Sequence, residues 1–202
     1  MSPPKRSAAT TEALRSSLVD HARALVEREG AAALTMRALA TEAGCAVGLP
    51  YKVFADRRDL VAEICLVEFG RLAGALDEAV GRAGTGPVGS NLTWIAELLL
   101  DSPAVVLAEE IFSDHDLGQE VSARIHQSGV GPASFEAIFA GYLVAEKATG
   151  RVDGAVDQDA IAFLVAGAVH NLVVSGAAWP HPDRRRLRRH LDALAAVLAP
   201  KA

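Results

Sequence analysis

The stretch AGCAVGLPYKVF, residues 43–54, constrains the fold more than any other part of the chain. Its apolar residues have helix-like spacing, but Gly48 and Pro50 interrupt it, and Gly44 stands where a preceding helix should end. Proline has no N–H to give to a helix and costs least in a helix's first turn. A helix this short is not stable by its own propensity. The segment must therefore be held by its neighbours, and its other side is left to lie against something else.

Those neighbours read as helices. Residues 12–29 set Leu14, Leu18, Ala22, Leu25 and Val26 on one face, with Gly30 as the stop. In LTMRALATEAG, Thr35 is an N-cap, flanked by Leu34 and Leu39 at the two positions of a hydrophobic staple, and Gly44 ends the helix. After the 43–54 stretch, Asp56 is an N-cap and Asp59 the third helical residue of a segment running to about Gly81.

GRAGTGPVGS is a linker. Helices are expected beyond it at about 89–101, from Pro103 to about 128, at 132–148, at 157–178 and at 183–198. No segment shows sustained strand alternation, so the predicted class is all-α. A small head over 1–57 and a helical body over 58–202 are the expected domains.

Two helices at 35–43 and 46–54, joined by a short turn containing Gly, have helix-turn-helix spacing. The second would be a recognition helix for the major groove. Ala46, Pro50, Val53 and Phe54 would pack inward, and Val47, Gly48, Tyr51 and Lys52 would face out, with Leu49 at the margin. Gly48 permits close approach, and Val47 and Leu49 suit thymine methyl groups. Tyr51 and Lys52 suit phosphates or base edges. Thr35 and Arg37 sit at a helix N-terminus, where a phosphate meets free N–H groups and a guanidinium. An ordinary three-helix corner of a larger α-helical protein has the same spacing.

Charge agrees with a modular arrangement. Residues 1–60 hold nine Lys/Arg against seven Asp/Glu, and residues 61–202 hold eleven against eighteen, which together give the chain's net −5. A mildly basic head thus sits on an acidic body. No apolar run reaches the length of a membrane span, and the N-terminus lacks the apolar region of a secretory signal. Cys45 and Cys65 lack metal-ligand spacing, which fits reduced thiols and a cytoplasmic location.

LTMRALATEAGCAVGLPYKVFADRRDLVAEI resembles the N-terminal domain of the TetR family of transcriptional regulators. The matching positions are Thr35, Arg37, Leu39-Ala40, Ala43-Gly44, Gly48, Tyr51, Phe54, Arg57 and Leu60. The chain departs from the family's habits at Ala46, Val47, Pro50 and Val53, which leaves the motif's frame intact but poor in polar readers. The resemblance implies a DNA-binding head, with Arg57 among its contact residues, and a body that binds a small-molecule effector and pairs two protomers on palindromic operator DNA. No cofactor, metal or membrane is expected.

Within the body, the 157–178 helix is apolar nearly all round, which calls for cover on every side. A second protomer is the expected cover, through Phe135, Ile161, Leu164, Gly167, Ala168 and Leu172, although a core helix within one protomer fits the same pattern. Trp94, Leu98, Phe112, His115, Phe139, Tyr142 and His170 combine aromatic bulk with polar tips, as effector cavities do. Asp114, His115 and Asp116 are adjacent on a helix and do not converge on a metal. DRRRLRRH reads as the solvated face of the last helix, over Leu187, Leu191, Leu194 and Leu198. There is no G-x-S-x-G, no Gly-rich phosphate loop after a strand and no His-rich metal spacing. The sequence therefore favours a ligand-responsive repressor. A DNA-binding regulator without a ligand and a helical enzyme are the alternatives.

Overall fold

A computed structural model of the chain describes residues 8–129, 132–175 and 182–201. The described residues form α-helices and short 3-10 turns, with no strand among them. Helix α1 spans Ala8–Glu29 and α2 spans Met36–Glu42; a 3-10 turn at Pro50–Lys52 follows. The long α3, Arg57–Gly74, leads into the body, which continues through α4 (Leu76–Gly81), α5 (Val88–Leu100), α6 (Pro103–Ser113) and α7 (His115–Ser128). It is completed by α8 (Pro132–Ala148), α9 (Gln158–Val174) and α10 (Arg184–Leu198).

The expected caps form. Thr35 Oγ1 accepts the Ala38 N–H at 3.0 Å, and Leu34 and Leu39 are both fully buried, as a staple requires. Gly44 takes φ +60°. Its N–H reaches the Thr41 carbonyl while Cys45 N–H reaches Ala40, the paired bonds of a Schellman stop. Asp56 accepts the Asp59 N–H at 2.9 Å, and Asp59 in turn accepts the Ala55 N–H at 2.9 Å.

Two long expected helices are divided. The one drawn from 56 to 81 breaks at Ala75, just after Gly74, a residue of low helix propensity. The one drawn from Pro103 to 128 breaks at Asp114, whose side chain accepts the N–H groups of Asp116 and Leu117 and so starts α7 as its N-cap. Part of the expected 157–178 helix, from 176 on, lies outside the described residues.

The core has two parts. Leu92, Ile95, Phe139, Tyr142, Leu143, Ala162 and Val169 belong to a body core among α3–α5 and α8–α10. The other unites Leu18, Val26, Leu39 and Phe54 of the head with Leu60 and Ile64 of α3 and with Leu107, Leu117 and Val121 of α6–α7. The head is thus packed on α6 and α7 as well as carried by α3. Each core has a polar tie. Arg23 of α1 pairs with Glu68 of α3, which also accepts the Ser102 hydroxyl at 2.9 Å. In the body, fully buried Glu146 accepts from Tyr142 Oη at 2.5 Å, from Arg151 Nε at 3.3 Å and from the Gly84 N–H at 3.3 Å, which fastens the 82–87 loop to α8.

Helix α10 lies close along α5. A Cβ on Gly89 would fall 2.2 Å from Asp192 Oδ1 and 2.7 Å from Asp192 Cα, and a backbone atom cannot step aside as a side chain can. Gly89→Ala is expected to destabilise the fold by about 1–3 kcal/mol through overpacking, read as a lower urea midpoint, whereas Gly81→Ala, with open space around it, should not.

Candidate nucleic-acid interface

The segment after α2 is not a helix. Pro50 cannot supply the N–H that an α-helix starting at Ala46 needs. The Ala46 carbonyl instead takes the Leu49 N–H at 2.8 Å, a 3-10 spacing that continues from Lys52 to Leu49 and from Val53 to Pro50, each at 3.0 Å. The expected recognition helix at 46–54 is therefore a tight turn over 46–52, ending in Pro50–Lys52. One consequence corrects the expected facing. Ala46 is exposed, because nothing helical turns it inward, while Pro50 and Phe54 are buried and Val53 is half-buried.

On the outer side, Val47 and Tyr51 are 49 % and 57 % exposed. Gly48 and Lys52 are exposed, Leu49 is half-buried, and a Cβ on Gly48 would meet nothing within 4 Å. Thr35 and Arg37 stand exposed at the start of α2. Helix α2 packs against the Pro50–Lys52 turn.

Arg57 is placed elsewhere. Its Nε donates to the Leu34 carbonyl at 2.5 Å, and Nη2 donates to the Ala31 carbonyl at 3.0 Å and to Glu110 at 2.8 Å. With these donors spent on the loop before α2 and on α6, Arg57 acts as a clamp between head and body rather than as an exposed contact. Arg58 pairs beside it with Asp114.

The turn's exit is held by Asp59 together with Arg15, Glu63 and Arg124, three groups that sequence patterning did not single out. Arg15 of α1 donates to the Val53 carbonyl at 3.0 Å and to Glu63 at 2.6 Å, and its guanidinium lies 4.7 Å from the centre of the Phe54 ring. Asp59 meets Arg124 of α7 at 2.7 Å. Burial pushes the Asp59 carboxyl up, but the Ala55 N–H, Arg124 and Arg15 outweigh it and hold the group below the usual carboxylate range. The Glu63 hydrogen bond raises Arg15 above its ordinary value despite burial. Arg15 has a polar-face position on α1 like several others, and no pattern within one sequence pairs it with residues 38 and 48 positions away. Cys65 is buried in the head core, where burial pushes its thiol up to about 12; Cys45 is half-buried in the turn after α2.

The expected effector residues do not converge. Phe139 and Tyr142 are buried in the body core, and Phe135, which meets Phe139 edge-on within it at 5.2 Å, is no free face for pairing. Phe112 is 59 % exposed on α6, and His115 lies exposed beside Gln119 at the start of α7. Trp94 and Leu98 line a polar cleft of about 360 Å³ with Arg23, Glu68, Glu97 and Asp101. His170 lines a more apolar cleft of about 280 Å³ with Phe69, Leu99, Phe135, Phe163 and Gly167. Of the expected pairing residues, Leu164, Gly167 and Ala168 are exposed on α9, and Ile161 and Leu172 are half-buried against the body core. The described residues hold no cluster of three metal-ligating side chains. On α10, Leu187, Leu191 and Leu198 are buried under an arginine face from which Arg184 reaches Asp101 at 2.6 Å.

A short helix, a turn and a second buttress helix that together present one exposed turn define a helix-turn-helix protein with a helical body. Residues 18–64 match the family model described as bacterial regulatory proteins, tetR family. The whole chain is similar in fold to a Mesorhizobium loti protein assigned to the TetR family of transcriptional regulators, at 18 % identity and TM-score 0.65, with 93 % of this chain and 96 % of that one covered. It is similar also to GusR of Salmonella enterica, at 15 % identity and TM-score 0.58, covering 96 % and 98 %. FadR of Bacillus subtilis in complex with stearoyl-CoA matches at 15 % identity and TM-score 0.54, covering 91 % and 97 %. No protein of curated function matches the sequence. Residues 18–64 thus match the helix-turn-helix model of the tetR family, and the chain shares its fold with solved proteins of that description. No helix among the described residues is long and apolar enough to cross a membrane.

Folded Asp59 titrates below its unfolded value, so its stabilisation is fully present above the unfolded pKa of about 3.9 and is lost as pH falls through the folded one. Asp59→Asn should lower thermal stability at pH 7 and flatten its fall below pH ~4; an acid limb as steep as wild type's, followed by circular dichroism, would refute that assignment.

Proposed function

We propose that the chain represses transcription as a homodimer that binds palindromic double-stranded operator DNA through the 46–52 turn and releases it when a small molecule binds the body. The observation that carries the reading is the two-sidedness of that turn. Pro50 and Phe54 anchor it in the head core while Val47, Gly48, Tyr51 and Lys52 stand free on the other side. Val47 and Leu49 offer apolar contact to thymine methyl groups, and Tyr51 and Lys52 reach phosphate or base edges. Thr35 and Arg37 take the neighbouring phosphate. DNA recognition in this reading belongs to residues 1–57 and regulation to 58–202, with the protein at work in the cytoplasm.

Pairing is supported by the outer face of α8 and α9. Val144, Phe163 and Leu164 are exposed there, and Gly167 and Ala168 allow two helices to approach closely. A second copy of that face covers them and sets two heads one helical turn apart, near 34 Å. The apolar cleft at Phe69, Phe163 and His170 is the favoured effector site, because its lining is mostly apolar with few polar groups. An acyl-CoA in the similarly folded FadR supports an apolar effector. The filled interior around Phe139 and Tyr142 favours the second reading, a regulator that needs no effector.

Tyr51→Ala and Lys52→Ala should each weaken operator binding by about tenfold with no change in melting, and Lys52→Ala should lower the salt slope by about one. Wild-type anisotropy titrations for both variants would remove the turn from the DNA contact.

Gly167→Arg should put a charge into the paired α9 face and yield monomers or insoluble protein. Light scattering that finds wild type monomeric at micromolar concentration would overturn the homodimer.

A further inference from the structure

We propose that Arg124, on α7 of the body, is a positioning residue for DNA recognition: with Arg15 it fixes, through Asp59, the exit of the turn that meets DNA. The proposal rests on the reading of residues 46–52 as the DNA surface.

The reading turn lacks the hydrogen-bond ladder of an α-helix, so its orientation is set from outside. Its exit, Val53–Phe54–Ala55, is gripped at both backbone ends. Arg15 of α1 takes the Val53 carbonyl at 3.0 Å, and Asp59 of α3 takes the Ala55 N–H at 2.9 Å. Phe54 between them is buried beneath the Arg15 guanidinium. Both grips depend on the charges around Asp59 and Glu63, which lie one turn apart on α3. Arg15 meets Glu63 at 2.6 Å and Asp59 at 3.5 Å. Arg124 approaches the same pair from the other side, at 2.7 Å from Asp59 and 3.9 Å from Glu63, and is itself steadied by Glu120 at 2.5 Å. All four groups of the centre are largely buried, with side-chain exposures of 16–27 %, so salt screens them less than surface pairs.

Removing Arg124 leaves two carboxylates one turn apart facing Arg15 alone. Arg15 is then drawn toward Asp59 and away from the Val53 carbonyl, and Asp59, no longer fixed on two sides, loosens its hold on the Ala55 N–H. The head itself stays folded, because α1 and α2 are joined by Leu18, Val26, Leu39 and other apolar residues of the head core. Arg124 thereby gives α7, whose Leu117 and Val121 sit in the head core, a direct hold on the reading turn in addition to the covalent path through α3. A shift of α7 within the body would be felt at residues 53–55.

The test uses full-length protein and a duplex operator selected by wild type from a random-sequence library. Arg124→Met should bind this duplex about tenfold more weakly, the usual scale for losing one charged hydrogen bond, with an unchanged salt slope, since Arg124 meets no phosphate. Hydrogen exchange should quicken at the Ala55 amide while α2 amides keep wild-type rates, a pattern that general destabilisation would not give. Affinity within about twofold of wild type, a salt slope lower by about one, or unchanged exchange at Ala55 would each overturn the proposal. If Arg124→Met does not fold, Arg124→Lys, which keeps the charge and loses the fork, is held to the same criteria with a smaller expected loss. Selection of no duplex, or normal binding by Lys52→Ala, would instead sink the reading of the turn. Weak binding by Lys52→Ala beside normal binding by Arg124→Met would remove only the role of Arg124.

Discussion

A single absent N–H, that of Pro50, organises the head. Without it the chain after α2 closes a tight turn whose bonds mostly span three residues, with a single four-residue bond, from the Phe54 N–H to the Pro50 carbonyl, at its exit. Such a turn has little stability of its own, so the burden passes to its surroundings: Phe54 and Pro50 sink into the core, and Arg15 and Asp59 take hold of the backbone at the exit. What remains on the outside is small and mostly apolar, which suits close approach to a groove better than a dense set of hydrogen bonds to base edges.

The same economy extends to the body. The head's core reaches through α3 into α6 and α7, so head and body share apolar residues as well as ion pairs. The rest of the body is gathered around α5, α8 and α9, with α10 laid closely on α5. An arrangement of two cores joined by one long helix lets each remain well packed while the seam between them, held by Arg57, Arg58 and Arg124, carries the geometry from one to the other.

Much of this was legible in the sequence because it depends on neighbours along the chain. The caps at Thr35 and Asp56, the stop at Gly44 and the apolar faces of α1 and α10 are local features, and they formed as their spacing indicated. Pro50 is legible too: placed early in a helix it is tolerated, and here, two residues after Gly48, it sits in a 3-10 turn instead. The Asp114 break was missed because an aspartate inside an apolar pattern reads as a surface residue until its side chain is seen capping α7. What the sequence could not show is convergence. Phe112 and Phe139 share a residue type and a helical setting, yet one faces solvent and the other fills the core, and only the crossing of α6, α8 and α9 decides between them. Arg15, Asp59 and Arg124 are likewise drawn together from three distant helices.

The two cysteines are left in very different surroundings. Cys65, sunk in the head core with its thiol pushed up to about 12, stays protonated and sheltered from electrophiles and oxidants. Cys45 sits half-open in the corner between α2 and the reading turn. A maleimide dye would therefore distinguish them without mutagenesis and place a single reporter at the rim of the DNA-facing end, where its emission would follow the arrival and departure of a bound duplex.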